Sequence, residues 1–365
     1  MKFSVEKDLL LEALQKAQSI VKPKTPMPIL SNVLIEAEEE GTLTLTTTDQ
    51  EMSVRMRVPA TVEEPGATTV PVRRLFGICH GLVSPQVDVW VSDDQVTNVY
   101  AGSFSGKLEG LSPEDFPPLP SFEESFSYEI DQGVLKGLLQ KTAYAASTDE
   151  SRAILNGSLL SFRENKLTVV CTDGRRLALA EQELNLPADA EMEVVAPTKT
   201  VNELIRTLDE EGSATIKASA TQIAIEFGDT FIISKLIDGT YPNYRQVIPA
   251  QCEERLAIER ETFLAAIQRV SRLLEDQASS VRLDIAENRI ELLAFAPEIG
   301  EAKDVVPIKY SGEKISIAFN PAFLMAPLKH LESDEIYLEL SDELSPGVIK
   351  SNVPFLYVIM PIRVA

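Results

Sequence analysis

The sequence predicts an α+β fold built from three similar domains, each with two helices packed on antiparallel sheets. Three observations predict it. One helical pattern recurs at offsets of 125 and 128 residues, a second recurs once in each third, and short alternating runs fill the intervals. The first pattern occupies 5–16, 130–141 and 258–269. Each block opens on Val5, Ile130 or Ile258, repeats an apolar residue five and nine positions later, and ends in Gln followed by a cation.

The second pattern places Leu75, Ile78, Cys79 and Leu82 on one helical face. It returns as Val201, Leu204, Ile205 and Leu208, then as Leu324, Pro327, Leu328 and Leu331. Pro71, Pro197 and Pro321 stand near the starts, where proline fits a first turn. Pro327 predicts a kink or a later start in the third copy.

Thr42–Thr46 and Lys166–Val170 alternate polar and apolar residues as half-buried strands do, and each leads into Thr-Asp. Ala214–Lys217, Gln222–Phe227, Arg289–Leu293 and Ile336–Leu340 alternate likewise. Ile29-Leu30-Ser31-Asn32 corresponds to Ile154-Leu155-Asn156-Gly157. Proline-rich Phe116–Pro120 and Tyr241–Pro249 mark the seams, so the expected domains are 1–122, 123–250 and 251–365.

The chain has 365 residues, 44% of them hydrophobic and 25% charged, which describes an ordinary globular protein. Cys79, Cys171 and Cys252 lie too far apart in sequence for a CxxC motif or a disulfide framework. The opening residues carry no signal-peptide core, and no stretch is long and apolar enough for a membrane helix. The expectation is a cytoplasmic protein without a membrane partner, cofactor or metal.

The net charge is −22, which by itself argues against nucleic acid. Its distribution argues otherwise. Six helical segments (5–24, 71–82, 132–147, 197–208, 260–274 and 320–331) hold 14 Lys/Arg and 5 Asp/Glu, leaving 20 and 51 for the rest. Adding the flanking Asp131, Glu259, Glu275 and Asp276 still leaves the helices at +5 and the remainder at −27. Solvated helix faces explain the presence of charge but not its one sign. Helices gathered on one side would form a weakly basic wall, suited to a polyanion held without sequence readout.

With these features the full length resembles the bacterial DNA polymerase III β subunit family, the sliding clamps. The resemblance lies in Met1-Lys2-Phe3, Pro28–Asn32, Glu64–Pro71, Leu155-Asn156-Gly157, Thr172–Ala178, Ser234–Gly239, Tyr241–Arg245 and Met360–Arg363, in this order and spacing. It implies a head-to-tail homodimer whose six domains form a ring around double-stranded DNA, bound without sequence preference. Such a ring has no catalysis of its own; it tethers the DNA polymerase III α subunit, the clamp loader and other proteins carrying a clamp-binding motif.

The resemblance also implies sites. Leu155, Thr172, Gly174, Arg175, Arg176, Leu177, Pro242 and Val247 would line a peptide pocket with Asn320, Phe323, Leu344, Val358, Met360, Pro361, Ile362 and Arg363. There Arg176 and Arg363 would hold the peptide's edges, while Arg175 would be solvated. Gln246, Pro346 and Ala365 depart from common family residues and bear on peptide preference. Lys24, Arg73, Arg74, Arg152 and Lys199 match DNA contacts, whereas Asp149 and Ala153-Ile154 depart from the polar and aromatic residues of some members. Phe104 and Leu108 would meet Leu273 and Leu274 across the subunit junction, against the plainer reading of all four as core residues.

Two other classes fit the sequence less well. An enzyme would need convergent catalytic groups. His80 and His330 fall near helix ends, and the acidic runs Glu38–Glu40, Asp93-Asp94, Glu123-Glu124 and Asp209–Glu211 read as solvated loops. Gly102–Leu108 lacks phosphate-loop spacing, and Cys171 reads as a buried strand residue. A repeat-built surface protein is disfavoured by the basic helices and the absent signal.

Overall fold

The computed structural model describes residues 1–21, 25–120, 122, 126–186, 191–274 and 280–363. The repeat is visible in element order. The first copy runs β1 (Lys2–Glu6), α1 (Lys7–Ile20), β2 (Asn32–Glu38), β3 (Thr42–Thr48), β4 (Met52–Pro59), β5 (Thr61–Glu64), β6 (Gly66–Pro71), α2 (Val72–Gly81), β7 (Gln86–Val91), β8 (Val96–Ala101) and β9 (Phe104–Glu109). The second runs β10 (Phe126–Asp131), α3 (Gln132–Thr142), β11 (Gly157–Arg163), β12 (Lys166–Thr172), β13 (Arg176–Glu183), β14 (Met192–Pro197), α4 (Thr198–Thr207), β15 (Ser213–Ala218), β16 (Gln222–Phe227) and β17 (Thr230–Lys235). The third runs β18 (Glu254–Glu259), α5 (Arg260–Ser271), β19 (Val281–Ala286), β20 (Arg289–Ala296), β21 (Gly300–Pro307), β22 (Ile315–Phe319), α6 (Pro321–His330), β23 (Glu335–Leu340), β24 (Gly347–Lys350) and β25 (Phe355–Ile359). Among the described residues, β5 has no counterpart in the other two copies.

The predicted helices form, with shifted starts. Val5, Ile130 and Ile258 open the sequence pattern but belong to β1, β10 and β18, so each first helix begins two residues later. In α1, Leu10, Ala13, Leu14, Ala17 and Ile20 are buried at helical spacing. Asn320 caps α6, its Oδ1 accepting from the Ala322 and Phe323 N–H groups. Pro71 and Pro197 end strands, whereas Pro321 is a true first-turn proline. Of the two outcomes expected for α6, a kink or a late start, the late start does not occur: the helix spans Pro321–His330 with Pro327 buried inside it.

Contacts divide the chain into two compact units, 1–133 with 206–236, and 134–205 with 237–365. The first contains an eight-stranded sheet ordered β10-β15-β16-β17-β4-β3-β2-β6 and a five-stranded sheet β5-β1-β7-β8-β9. The second contains an eight-stranded sheet β14-β11-β12-β13-β25-β24-β23-β18 and a four-stranded sheet β21-β20-β19-β22. Both eight-stranded sheets are seams with one topology. In each, four strands of one repeat join four of the next, through β17 on β4 in the first unit and β25 on β13 in the second. Registers match too, Ile233 opposite Ser53 and Val358 opposite Leu177. The other two sheets end at β9 and β21, which correspond to the two partners of that junction.

Candidate functional site: the seam around Arg176

At the second seam, β12 turns into β13 through Thr172–Arg176. Asp173 Oδ1 accepts from the N–H groups of Arg175 (2.8 Å) and Arg176 (3.0 Å), and Thr172 Oγ1 accepts from Gly174 N–H (3.1 Å). Gly174 takes φ +85°. The first seam repeats this turn with different residues. Asp49 Oδ1 accepts from Glu51 and Met52, Thr48 Oγ1 accepts from Gln50, and Gln50 takes φ +72°. The Thr-Asp motif therefore builds a turn by side-chain capping of the backbone. Gln50 shows that glycine is favoured at this position but not required.

What differs is the lining. The second seam has Leu177 where the first has Ser53, and Met360 where the first has Lys235, whose ammonium pairs with Glu51 at 3.1 Å. Leu177 and Val358 are buried in a cluster with Leu159, Val170, Val195 and Tyr244, flanked by Tyr241, Ile237 and Ile248. Pro242 is exposed beside it in the connector, and Val247 and Met360 are 52% and 43% exposed. A buried apolar floor with exposed apolar margins is what peptide capture needs.

The two arginines take opposite parts. Arg176 is largely buried, with Nε on Asp173 Oδ2 at 3.0 Å, Nη2 on the Tyr144 carbonyl at 2.6 Å, and its guanidinium 4.3 Å from the Phe323 ring centroid. It joins the turn to α6. Arg175 is exposed, and its carbonyl accepts from Met360 N–H at 3.0 Å. Arg175 is solvated, as the sequence led us to expect, whereas the Arg176 guanidinium, expected to hold an edge of the peptide, is already engaged by Asp173, the Tyr144 carbonyl and the Phe323 ring.

The remaining expected pocket residues are placed as follows. Leu155 is buried at the end of the 3-10 turn preceding β11. Pro361 and Ile362 are half-buried, Ile362 N–H donating to the Ala318 carbonyl at 2.8 Å. Leu344 is 63% exposed in a loop that Asp342 pins, and Arg363 is exposed. Missed from sequence were Tyr144, Asp173 and Tyr357, which hold Arg176 and Phe323 in place. Tyr357 Oη donates to the Phe323 carbonyl at 2.8 Å.

Arg152 sits on the same turn. Its Nη1 bonds the Asp173 carbonyl at 3.4 Å and its Nε bonds Asp149. Arg73 and Arg74 are exposed on α2, Arg73 also bonding the Val21 carbonyl at 3.0 Å, and Lys199 is exposed on α4. Lys24 lies outside the described residues. Several helix cations are paired, Lys16 with Glu12, Arg260 with Glu261 and Arg269 with Asp304, which tempers the expected basic wall.

Phe104 and Leu108 lie on β9, partly exposed; Leu273 and Leu274 are half-buried just past α5. Among the described residues no His/Cys/Asp/Glu group is arranged to hold a metal, and no helix is long and apolar enough to cross a membrane.

A scaffold of three β-α-β repeats joined at two seams, one with an apolar lining, and with strand edges left open at β9 and β21, is the class this fold and site define. The comparisons are specific. Family models for the N-terminal, central and C-terminal domains of the DNA polymerase III β subunit match residues 1–120, 129–243 and 245–363. The chain belongs to that family. Its sequence is 34% identical to the beta sliding clamp of Chlamydia muridarum over 363 residues, spanning 100% of this chain and 99% of that protein. It is 33% identical to that of Escherichia coli K12, with 100% of both covered. Among solved structures, the DnaN sliding clamp of Bartonella birtlesii bound to griselimycin superposes with a TM-score of 0.95 at 33% identity, and the clamp of Bacillus subtilis with 0.95 at 29%, each over 100% of both chains.

Proposed function

We propose that two copies close head to tail into a ring that encircles duplex DNA without sequence preference and acts as a non-catalytic, cytoplasmic processivity factor. The family membership supports this reading, and one observation carries it. The repeat pairs β17 with β4 and β25 with β13, yet β9 and β21, the strands equivalent to these partners, end their sheets unpaired. An unpaired edge is a template for another strand. Pairing β9 with β21 of a second copy supplies the third seam, and a contact that repeats after a half turn closes.

Carrying the seam register across places Lys107 opposite Glu301 of the partner subunit and Ser105 opposite Lys303 of the partner subunit. These are complementary or neutral pairs. Phe104 and Leu108 then meet Leu273 and Leu274 of the partner subunit on the helix side. The domains are 1–122, 123–250 and 251–365. Lys24, Arg73, Arg74, Arg152 and Lys199 contact phosphates, and topology replaces tight binding.

The Arg176 seam takes a short apolar peptide from the DNA polymerase III α subunit, the clamp loader or other motif-bearing proteins. Leu177, Val358, Pro242, Val247 and Met360 supply burial worth about 25 cal/mol per Å², while Arg175 and Arg363 reach its polar groups. The test is retention on nicked circular DNA after loading, followed by release on linearisation. Loss at the same rate from both forms refutes the ring. Met360→Ser and Val247→Asp abolish polymerase binding and leave the dimer intact; polymerase binding at wild-type affinity by both variants refutes the groove.

A further inference from the structure

We infer that the outward face of the five-stranded sheet, at Asp88, Trp90 and Tyr100, takes an arginine side chain from a basic segment of another protein. This face lies outside both seams, and its binding does not depend on how copies of the chain assemble.

Strand alternation lays the face out. In β7, Val87, Val89 and Val91 are buried, which turns Asp88 and Trp90 outward together. Tyr100 of β8 stands directly opposite Asp88, and so diagonally across from Trp90. Trp90 and Tyr100 are 44% and 43% exposed. Asp88 Oδ1 accepts from Ser4 Oγ and, at 3.0 Å, from Gln86 Nε2, whereas Oδ2 accepts no hydrogen bond among the described residues. An oriented carboxylate with one open oxygen is therefore flanked by two open aromatic rings.

The corresponding faces of the other two repeats supply their own cations. Glu6 pairs with Gln86 as Glu259 pairs with Glu335, so Lys2, Asp88 and Trp90 correspond to Arg255, Tyr337 and Glu339. There Arg255 lies 4.1 Å from the Tyr337 ring centroid and 3.8 Å from one Glu339 oxygen, and the other oxygen takes Lys350 at 2.7 Å. In the middle repeat the same face pairs Lys217 with Glu226 at 3.0 Å. In the first repeat Lys2 turns to Glu63 at 2.6 Å, and Tyr100 stands where the third repeat has Lys350. Ring and carboxylate have changed places but remain two residues apart on one strand face. Among the described residues no cation pairs with Asp88 or stacks on either ring. A guanidinium can stack on the rings while donating to Asp88, and it is less strongly hydrated than an ammonium. Outside its helical segments the chain holds 20 Lys/Arg against 51 Asp/Glu, a field that draws a basic segment.

Trp90 is the single tryptophan of the chain, so its fluorescence reads this face in the full-length protein. At about 0.15 M salt, a capped peptide alternating glycine and arginine should shift Trp90 emission saturably. Its lysine counterpart should bind at least about threefold more weakly. Asp88→Asn should weaken arginine-peptide binding about tenfold and Tyr100→Ala about threefold. Asp94→Asn, which removes an exposed charge from the turn between β7 and β8, should leave it within about twofold. Equal losses in Asp88→Asn and Asp94→Asn would mean that only net charge is read, and no saturable shift would mean that there is no site; either overturns the inference. So does a single-stranded oligothymidylate that shifts Trp90 emission where the arginine peptide does not, which would mark a base-stacking surface.

Discussion

The Tyr357 hydroxyl donates to the Phe323 carbonyl at 2.8 Å, and Phe323 lies four residues before Pro327. A helix would ordinarily fill that carbonyl with the N–H at position 327, which proline lacks. The strand side chain therefore replaces a missing helical bond and ties α6 to β25. Tyr357→Phe is expected to destabilise the protein by about 1–2 kcal/mol. In a Pro327→Ala background, where an N–H is restored, the same change should cost measurably less. Urea titration of the four-member cycle reads the coupling; equal costs in both backgrounds would refute the replacement.

Arg176 joins Asp173, the Tyr144 carbonyl and the Phe323 ring within a largely covered site. Arg176→Ala should cost about 2–4 kcal/mol, because Asp173 is left partly buried without its partner. Arg175→Ala should stay within about 0.5 kcal/mol, as surface changes do, and lose peptide affinity instead. Calorimetric melting beside peptide titration separates the two.

The seam register makes a charge prediction. Lys107→Glu or Glu301→Lys alone should weaken the dimer, and the double exchange should recover most of the loss. Sedimentation at two salt concentrations tests this, with the single-variant effect shrinking at high salt. Absence of recovery would mean that the register is wrong.

Burial pushes the Cys79 thiol up to about 11 and the Cys171 thiol up to about 12, and Cys171 donates to Ser158 Oγ at 2.9 Å. Half-buried Cys252 is raised too, by burial first and then by Glu339. At pH 8 a thiol reagent should therefore modify Cys252 first, and the other two only on unfolding. Mass spectrometry of the labelled native protein decides it.

His330 stacks on Tyr144 with ring centroids 4.7 Å apart, and burial followed by the Lys329 charge lowers its pKa from 6.5. The folded state thus takes up this proton at lower pH than the unfolded chain. Stability is unaffected above pH 6.5, falls as pH drops below it, and levels once the folded ring is protonated. His330→Gln should flatten that slope in unfolding curves taken between pH 7 and 5.

The repeat and the helices were legible because periodicity and offsets are local properties. The strand alternation gave 222–227 with the bounds of β16. Thr-Asp was legible as a repeated motif, and its capping role follows from residue chemistry. Helix starts were not, since Val5, Ile130 and Ile258 serve equally as the last apolar residue of a strand or the first of a helix. Nor was continuity through Pro327, which depends on a hydroxyl 30 residues away.

By itself the sequence determined three copies of one unit and their order. Tertiary structure alone decided what engages the Arg176 guanidinium, what fills the carbonyl that Pro327 leaves open, and which strand edges stay unpaired. The reason is physical. Pattern records each residue's preference for water, but burial and hydrogen-bond satisfaction are set by chain segments that sequence distance does not reveal.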